Sequence, residues 1–134
     1  MPIIETQPQK EKRGHRSNEG RIQAECFAWF WNEFPQFRKT LFHVPNENDR
    51  EDSNMIQGAI RKSLGVVAGV ADLLFLVARG GYHGLCIEMK DEKGTQKPAQ
   101  KEWQAIVEAQ GFKYVICRSF PQFKKIILEY LDEK

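Results

Sequence analysis

Three ionisable residues mark the ends of two apolar runs in GVADLLFLVARGGYHGLCIEMK, residues 69–90. Asp72 opens the first run; Glu88 and Lys90 close the second. Side chains two apart on a strand share a face, so Glu88 and Lys90 project together while Ile87 and Met89 face the other way. If the runs form a hairpin turning at Gly80–Gly81, antiparallel pairing sets the start of one beside the end of the other, and Asp72 approaches Glu88 and Lys90. Two converging carboxylates repel unless a proton or a cation lies between them. Hard oxygen donors with no His or Cys nearby suit Mg²⁺ or Mn²⁺ and not zinc. A divalent ion there would polarise a phosphoryl oxygen and acidify a bound water. Lys90 would orient that water and offset charge developing on the phosphate. A plain ion pair of Lys90 with Glu88 or Asp72 at a strand end is the more ordinary account of these three residues taken alone.

Two further residues bear on the choice. Glu25 lies between Ile22 and Trp29, on or beside the apolar stripe of a first helix. A carboxylate there needs a partner, a cation or a route to solvent. Gln100 follows Pro98 in the first turn of a later helix, just after the loop that leaves Lys90. A helix N-terminus favours anions, and Gln100 there can bond a phosphate or a metal-bound water, or stand solvated as any good helix former does.

These side chains need a scaffold, and the apolar spacing supplies one. A first helix is expected from about Gly20 to Phe34, stopped by Pro35, and a short strand over Leu41–Val44. Ser53 or Asn54 caps a second helix running to Leu64. The hairpin follows, with strands over Asp72–Val77 and Leu85–Lys90. Pro98 opens a third helix that Gly111 ends. Tyr114–Cys117 is a strand, and Ser119 caps a last helix. The order α–β–α–β–β–α–β–α implies an α/β fold, a mixed central sheet flanked by helices. Residues 1–19 lack periodicity and are expected to form a flexible tail, leaving 20–134 as a single domain.

Composition excludes several classes. With 41% hydrophobic and 28% charged residues the chain reads as a globular protein that can bury a core unaided. No apolar run is long enough to cross a bilayer, and the polar N-terminus is not a signal peptide, so no membrane is expected. Cys26, Cys86 and Cys117 are scattered in apolar surroundings, which argues for free thiols in a reducing cytoplasm. A net charge of +2 decides nothing about partners. Basic clusters at Lys10–Arg21 and Lys90–Lys101 either meet phosphates or form solvated faces. Trp29, Trp31 and Trp103 could stack bases, but their helical spacing beside Phe30 and Ile106 reads more simply as core.

The ordered set GVVAGVADLLFL, GLCIEMKDEKGTQKPAQKEW and GF resembles the VRR-NUC (virus-type replication-repair nuclease) family of the PD-(D/E)XK nuclease superfamily. Asp72 and Leu73 match its D-L, Glu88 and Lys90 its E-x-K, Gly94 its loop glycine, and Gln100 with Trp103 its Q-x-x-W helix start. HVPNE and QGAIRKSLGVVAG upstream are similar too, so the likeness spans about residues 21–131. Ala71 stands where the family usually has Pro, which bears on the local turn and not on the metal assignment. The resemblance implies a restriction-endonuclease-like core and a Mg²⁺- or Mn²⁺-dependent endonuclease acting on DNA. Asp72 and Glu88 would hold metal with the Met89 carbonyl, Glu25 would match the first-helix acid, Lys90 would activate water, and Gln100 would be the motif glutamine. It further implies a stand-alone phage or bacterial enzyme like the Holliday junction resolvases, a homodimer cutting branched DNA in the cytoplasm of a bacterial host. Asn46, Arg61, Lys62, Lys93 and Lys97 are candidate nucleic-acid contacts, although turn chemistry or a solvated face explains them nearly as well. Other readings that keep the fold are a non-catalytic DNA-binding module and a nuclease for flaps or linear duplex.

Overall fold

A computed structural model describes residues 18–45 and 55–134. The elements run α1 (Asn18–Glu33), β1 (Leu41–His43), α2 (Met55–Ser63), β2 (Leu73–Phe75), β3 (Leu85–Met89), α3 (Pro98–Ala109), β4 (Lys113–Cys117) and α4 (Phe120–Asp132). A short 3₁₀ turn at Pro35–Phe37, which the apolar spacing did not suggest, joins α1 to β1. The sheet order is β1-β2-β3-β4. β1 and β3 each pair antiparallel with β2, while β4 pairs parallel with β3 through the α3 crossover. The α/β class and the mixed sheet flanked by helices are therefore as expected.

Two apolar layers enclose the sheet. On one side Leu73, Phe75, Leu85, Ile87 and Met89 meet Cys26 and Phe30 of α1 and Phe123, Ile127 and Tyr130 of α4. On the other, Ala71, Cys86 and Tyr114 pack with Trp103 and Val107 of α3. The period-two alternation of β3 is thus realised, with Ile87 and Met89 in the first layer and Cys86 in the second. Every residue of β3 is buried, so one strand carries both cores.

Ends and turns follow local chemistry. Ser119 caps α4 by accepting from the Gln122 N–H at 3.2 Å. Pro35 follows the last residue of α1 but one, as its missing N–H dictates. α1 starts at Asn18, ahead of the expected Gly20, and so takes Glu19 into its first turn. The expected cap of α2 at Ser53 or Asn54 lies outside the described residues, as does Asn46. α2 buries none of its residues: Met55, Ile56 and Ile60 are all exposed, as is Leu64 just past its end. The tryptophans are packing residues. Trp29 stacks edge-on against Phe34, Phe120 and Phe123, Trp31 lies under the Arg38 guanidinium, and Trp103 leans on Tyr114.

Candidate active site

The β2–β3 register aligns Leu73 with Ile87. One step further along the same antiparallel ladder, Asp72 falls opposite Glu88. Asp72 is fixed from three directions. Its Oδ2 accepts the Met89 N–H at 2.7 Å, and its carbonyl accepts the Val44 N–H at 2.8 Å. His43 Nδ1 lies 2.9 Å from that same carbonyl, which assigns it the proton. The loop ahead of Asp72 is shaped by Gly69, whose φ of +87° suits glycine. A Cβ there would collide with the carbonyl of Ala99 in the first turn of α3. The Asp72 loop and the start of α3 are held together at that point.

Glu88 is 0% exposed, an unusual place for a carboxylate. Its Oε1 accepts the Tyr114 hydroxyl and, at 3.2 Å, the Gln96 side-chain amide. Its Oε2 is buried without a hydrogen-bond donor among the described residues. The Lys90 ammonium lies 3.3 Å from that oxygen, close enough for an ion pair but not aligned as a hydrogen bond. The Asp72 charge also acts on the Tyr114 hydroxyl, more weakly than Glu88 does. Burial, the bond to Glu88 and these charges push the Tyr114 hydroxyl far up, and it stays a proton donor at any working pH.

Lys90 is 5% exposed and lies just past the end of β3, where its N–H donates to the Cys117 carbonyl at 2.9 Å. Gly94 covers its stem, since a Cβ there would come 3.2 Å from Lys90 Cδ. The covering loop is itself pinned. Asp91 Oδ1 accepts the N–H groups of Lys93 and Gly94 at 3.0 and 2.7 Å. Arg118 Nη1 donates to the carbonyls of Asp91 and Gly94 at 2.9 and 2.7 Å.

The first-helix acid beside Lys90 is Glu19. A Cβ on Gly94 would meet its Oε2 at 3.5 Å. Burial raises its carboxyl above the ordinary value, against the opposing pull of Lys90, the Asp91 N–H and Lys97. Glu25 is exposed instead. It lines a groove of about 850 Å³ with Arg21, Lys93, Arg118 and the N-terminus of α4. Among the described residues no group of three or more acidic, His or Cys side chains stands close enough together to hold an ion. Gln100 is buried at the site's edge and caps its own helix, Oε1 accepting the Lys97 N–H at 2.8 Å. Lys62, Lys93 and Lys97 are exposed, and Arg61 is half-buried on α2.

Reading the sequence missed Glu19, Gln96, Tyr114 and Arg118. Glu19 carried a signal, for it stands one turn ahead of Ile22 on the stripe that continues through Cys26 and Phe30. Tyr114 and Gln96 carried none, because one reads as a core aromatic and the other as a loop amide.

The family model of the VRR-NUC domain matches residues 10–121. The chain belongs to the VRR-NUC family. Membership gives it a nuclease-type role in DNA processing. A solved structure described as a VRR-NUC domain protein is 27% identical, with a TM-score of 0.72 over 88% of this chain and 91% of its own. Another, described as a VRR-NUC domain, is 22% identical, with a TM-score of 0.53 over 86% of this chain and 99% of its own, and speaks for the fold alone. No curated protein matches the chain. No helix among the described residues is long and apolar enough to cross a membrane.

Proposed function

We propose that this VRR-NUC domain is a Mg²⁺- or Mn²⁺-dependent endonuclease that hydrolyses phosphodiesters in branched DNA, in the manner of a Holliday junction resolvase. The observation that carries the reading is the Glu88 carboxylate. It is wholly buried, with one oxygen tied by two donors and the other met, among the described residues, by the Lys90 ammonium, across the ladder from Asp72. A buried acid with an oxygen left without a donor is costly unless a cation completes it. The set suits a hard divalent ion, since Asp72, Glu88 and the Met89 carbonyl offer only oxygen.

Such an ion would supply Lewis acidity toward a phosphoryl oxygen and lower the pKa of a water. This chain's residues do the rest. Asp72 and Glu88 would hold the ion, and the Met89 N–H keeps Asp72 turned toward β3. Lys90, neutralising Glu88 at rest, directs its ammonium to the nucleophilic water and to charge growing on the phosphate. Glu19 sets the place of Lys90 from the α1 side. Gln100 fixes the start of α3, and Lys93, Lys97, Arg61 and Lys62 bear on the nucleic acid backbone. Cutting two strands of a junction symmetrically takes two sites, so the working form is a homodimer with a two-fold axis. A phage or bacterial cytoplasm is the setting this reading implies.

The test is cleavage of a synthetic four-way junction in Mn²⁺, Mg²⁺ or EDTA, beside Glu88→Ala and Lys90→Ala. Paired symmetric nicks that vanish in EDTA and in both variants are expected. Junction binding without cleavage by the native chain in either metal would overturn the reading and favour a binding module. Cleavage of linear duplex at an equal rate would overturn the branched-DNA part alone.

A further inference from the structure

We infer that Tyr114, seconded by Gln96, is a positioning residue for Glu88, fixing which carboxylate oxygen is presented to the cation. The inference rests on the metal-nuclease reading above and extends it to residues outside the carboxylate set. A glutamate's terminal torsion is soft and roughly two-fold, so an untethered carboxylate in a pocket can turn. Here both donors grip Oε1, which leaves Oε2 facing Lys90.

The donors are themselves locked. Tyr114 is 7% exposed on β4, held against Trp103 at a ring separation of 6.1 Å and paired across the ladder with Cys86. Gln96 also gives its amide to Gln104 Oε1 at 2.7 Å, and Gln104 gives its own to Glu108 Oε2 at 3.2 Å. A relay of side chains thus runs from the exposed face of α3 to the buried acid. Packing against Trp103 and Val107 requires only a ring at position 114; a phenylalanine would serve. A buried hydroxyl costs free energy unless it is bonded. Its bonding partners here are Glu88 and Gln96, so the hydroxyl is present for the acid. Outer partners of this kind tune how tightly a ligand set holds its ion, typically by about 10- to 100-fold.

The experiment is Mn²⁺ titration by calorimetry without DNA, for the native chain, Tyr114→Phe, Gln96→Met and Glu88→Ala, with thermal unfolding in EDTA beside it. Tyr114→Phe is expected to bind Mn²⁺ at least about tenfold more weakly while still unfolding in one cooperative transition. Its cleavage should return as Mn²⁺ is raised, shifting the metal requirement rather than the substrate KM. Should Tyr114→Phe not fold, Gln96→Met, outside the core, tests the same grip and should weaken binding in the same direction. Native Mn²⁺ affinity in both variants, with binding lost in Glu88→Ala, would overturn the positioning role and leave the metal site standing. No difference between the native chain and Glu88→Ala would overturn the metal reading and this inference with it.

Discussion

At the scale of single residues, the two acids of α1 divide in a way that activity can read. Glu19 faces Lys90 from beneath the Gly94 loop, while Glu25 is exposed at the groove beside α4. On the proposed function, Glu19→Ala is expected to slow cleavage at least about tenfold, the usual effect of removing a partner that orients a catalytic group. Glu25→Ala should stay within about twofold of native, as an exposed side chain allows. Single-turnover cleavage at fixed Mn²⁺ checks both, and the reverse ranking would return the first-helix role to Glu25. The convergence of Asp72, Glu88 and Lys90 was legible in the sequence because strand alternation and hairpin pairing are local rules that act on known residues. Glu19 was obscured by a helix boundary two residues early, which moved it from a presumed tail into α1. Helix ends are the least determined part of such a reading.

At the scale of elements, the contact that matters most is between the loop before Asp72 and the start of α3. Gly69 allows it by combining positive φ with the absence of a Cβ. Gly69→Ala imposes left-handed strain and a collision with the Ala99 carbonyl, and should cost at least about 2 kcal/mol. Denaturant unfolding with an unchanged slope and a lowered midpoint is the expected result. A variant as stable as native would mean that the loop is free to move away from α3. The helices and strands themselves followed from apolar spacing, with Pro98 and Gly111 bounding α3 and Ser119 capping α4. The 3₁₀ turn at Pro35–Phe37 escaped because three residues hold no period. The exposure of α2 escaped for another reason, since an amphipathic pattern states that a face is apolar and not what covers it.

At the scale of the whole molecule, the buried thiols set an alkaline limit. Burial pushes Cys86 up to about 11. Cys26 is raised further by the adjacent Cys117 thiol and by burial. A thiol with a raised pKa binds its proton more tightly in the folded chain than in the unfolded one. Its contribution is therefore whole below the ordinary thiol range and is lost as pH rises through about 11. The stability of the native chain should fall from pH 8.5 to pH 11 by an amount on the order of 2 kcal/mol for Cys86 alone. In Cys86→Ala that fall should shrink, whatever its stability at pH 8.5. An equal fall in both would place the alkaline transition elsewhere.

The full burial of β3 has a consequence for how the protein fails. The strand that carries Glu88 is paired on both edges and covered on both faces. Its amides are expected to open in the slowest, global event rather than by fraying. Hydrogen exchange should rank these five amides with the unfolding free energy of the whole chain. The acid is therefore expected to leave its place only when the sheet as a whole opens. Heat or denaturant switches off chemistry and fold together, and each molecule is either an intact nuclease or an inert chain.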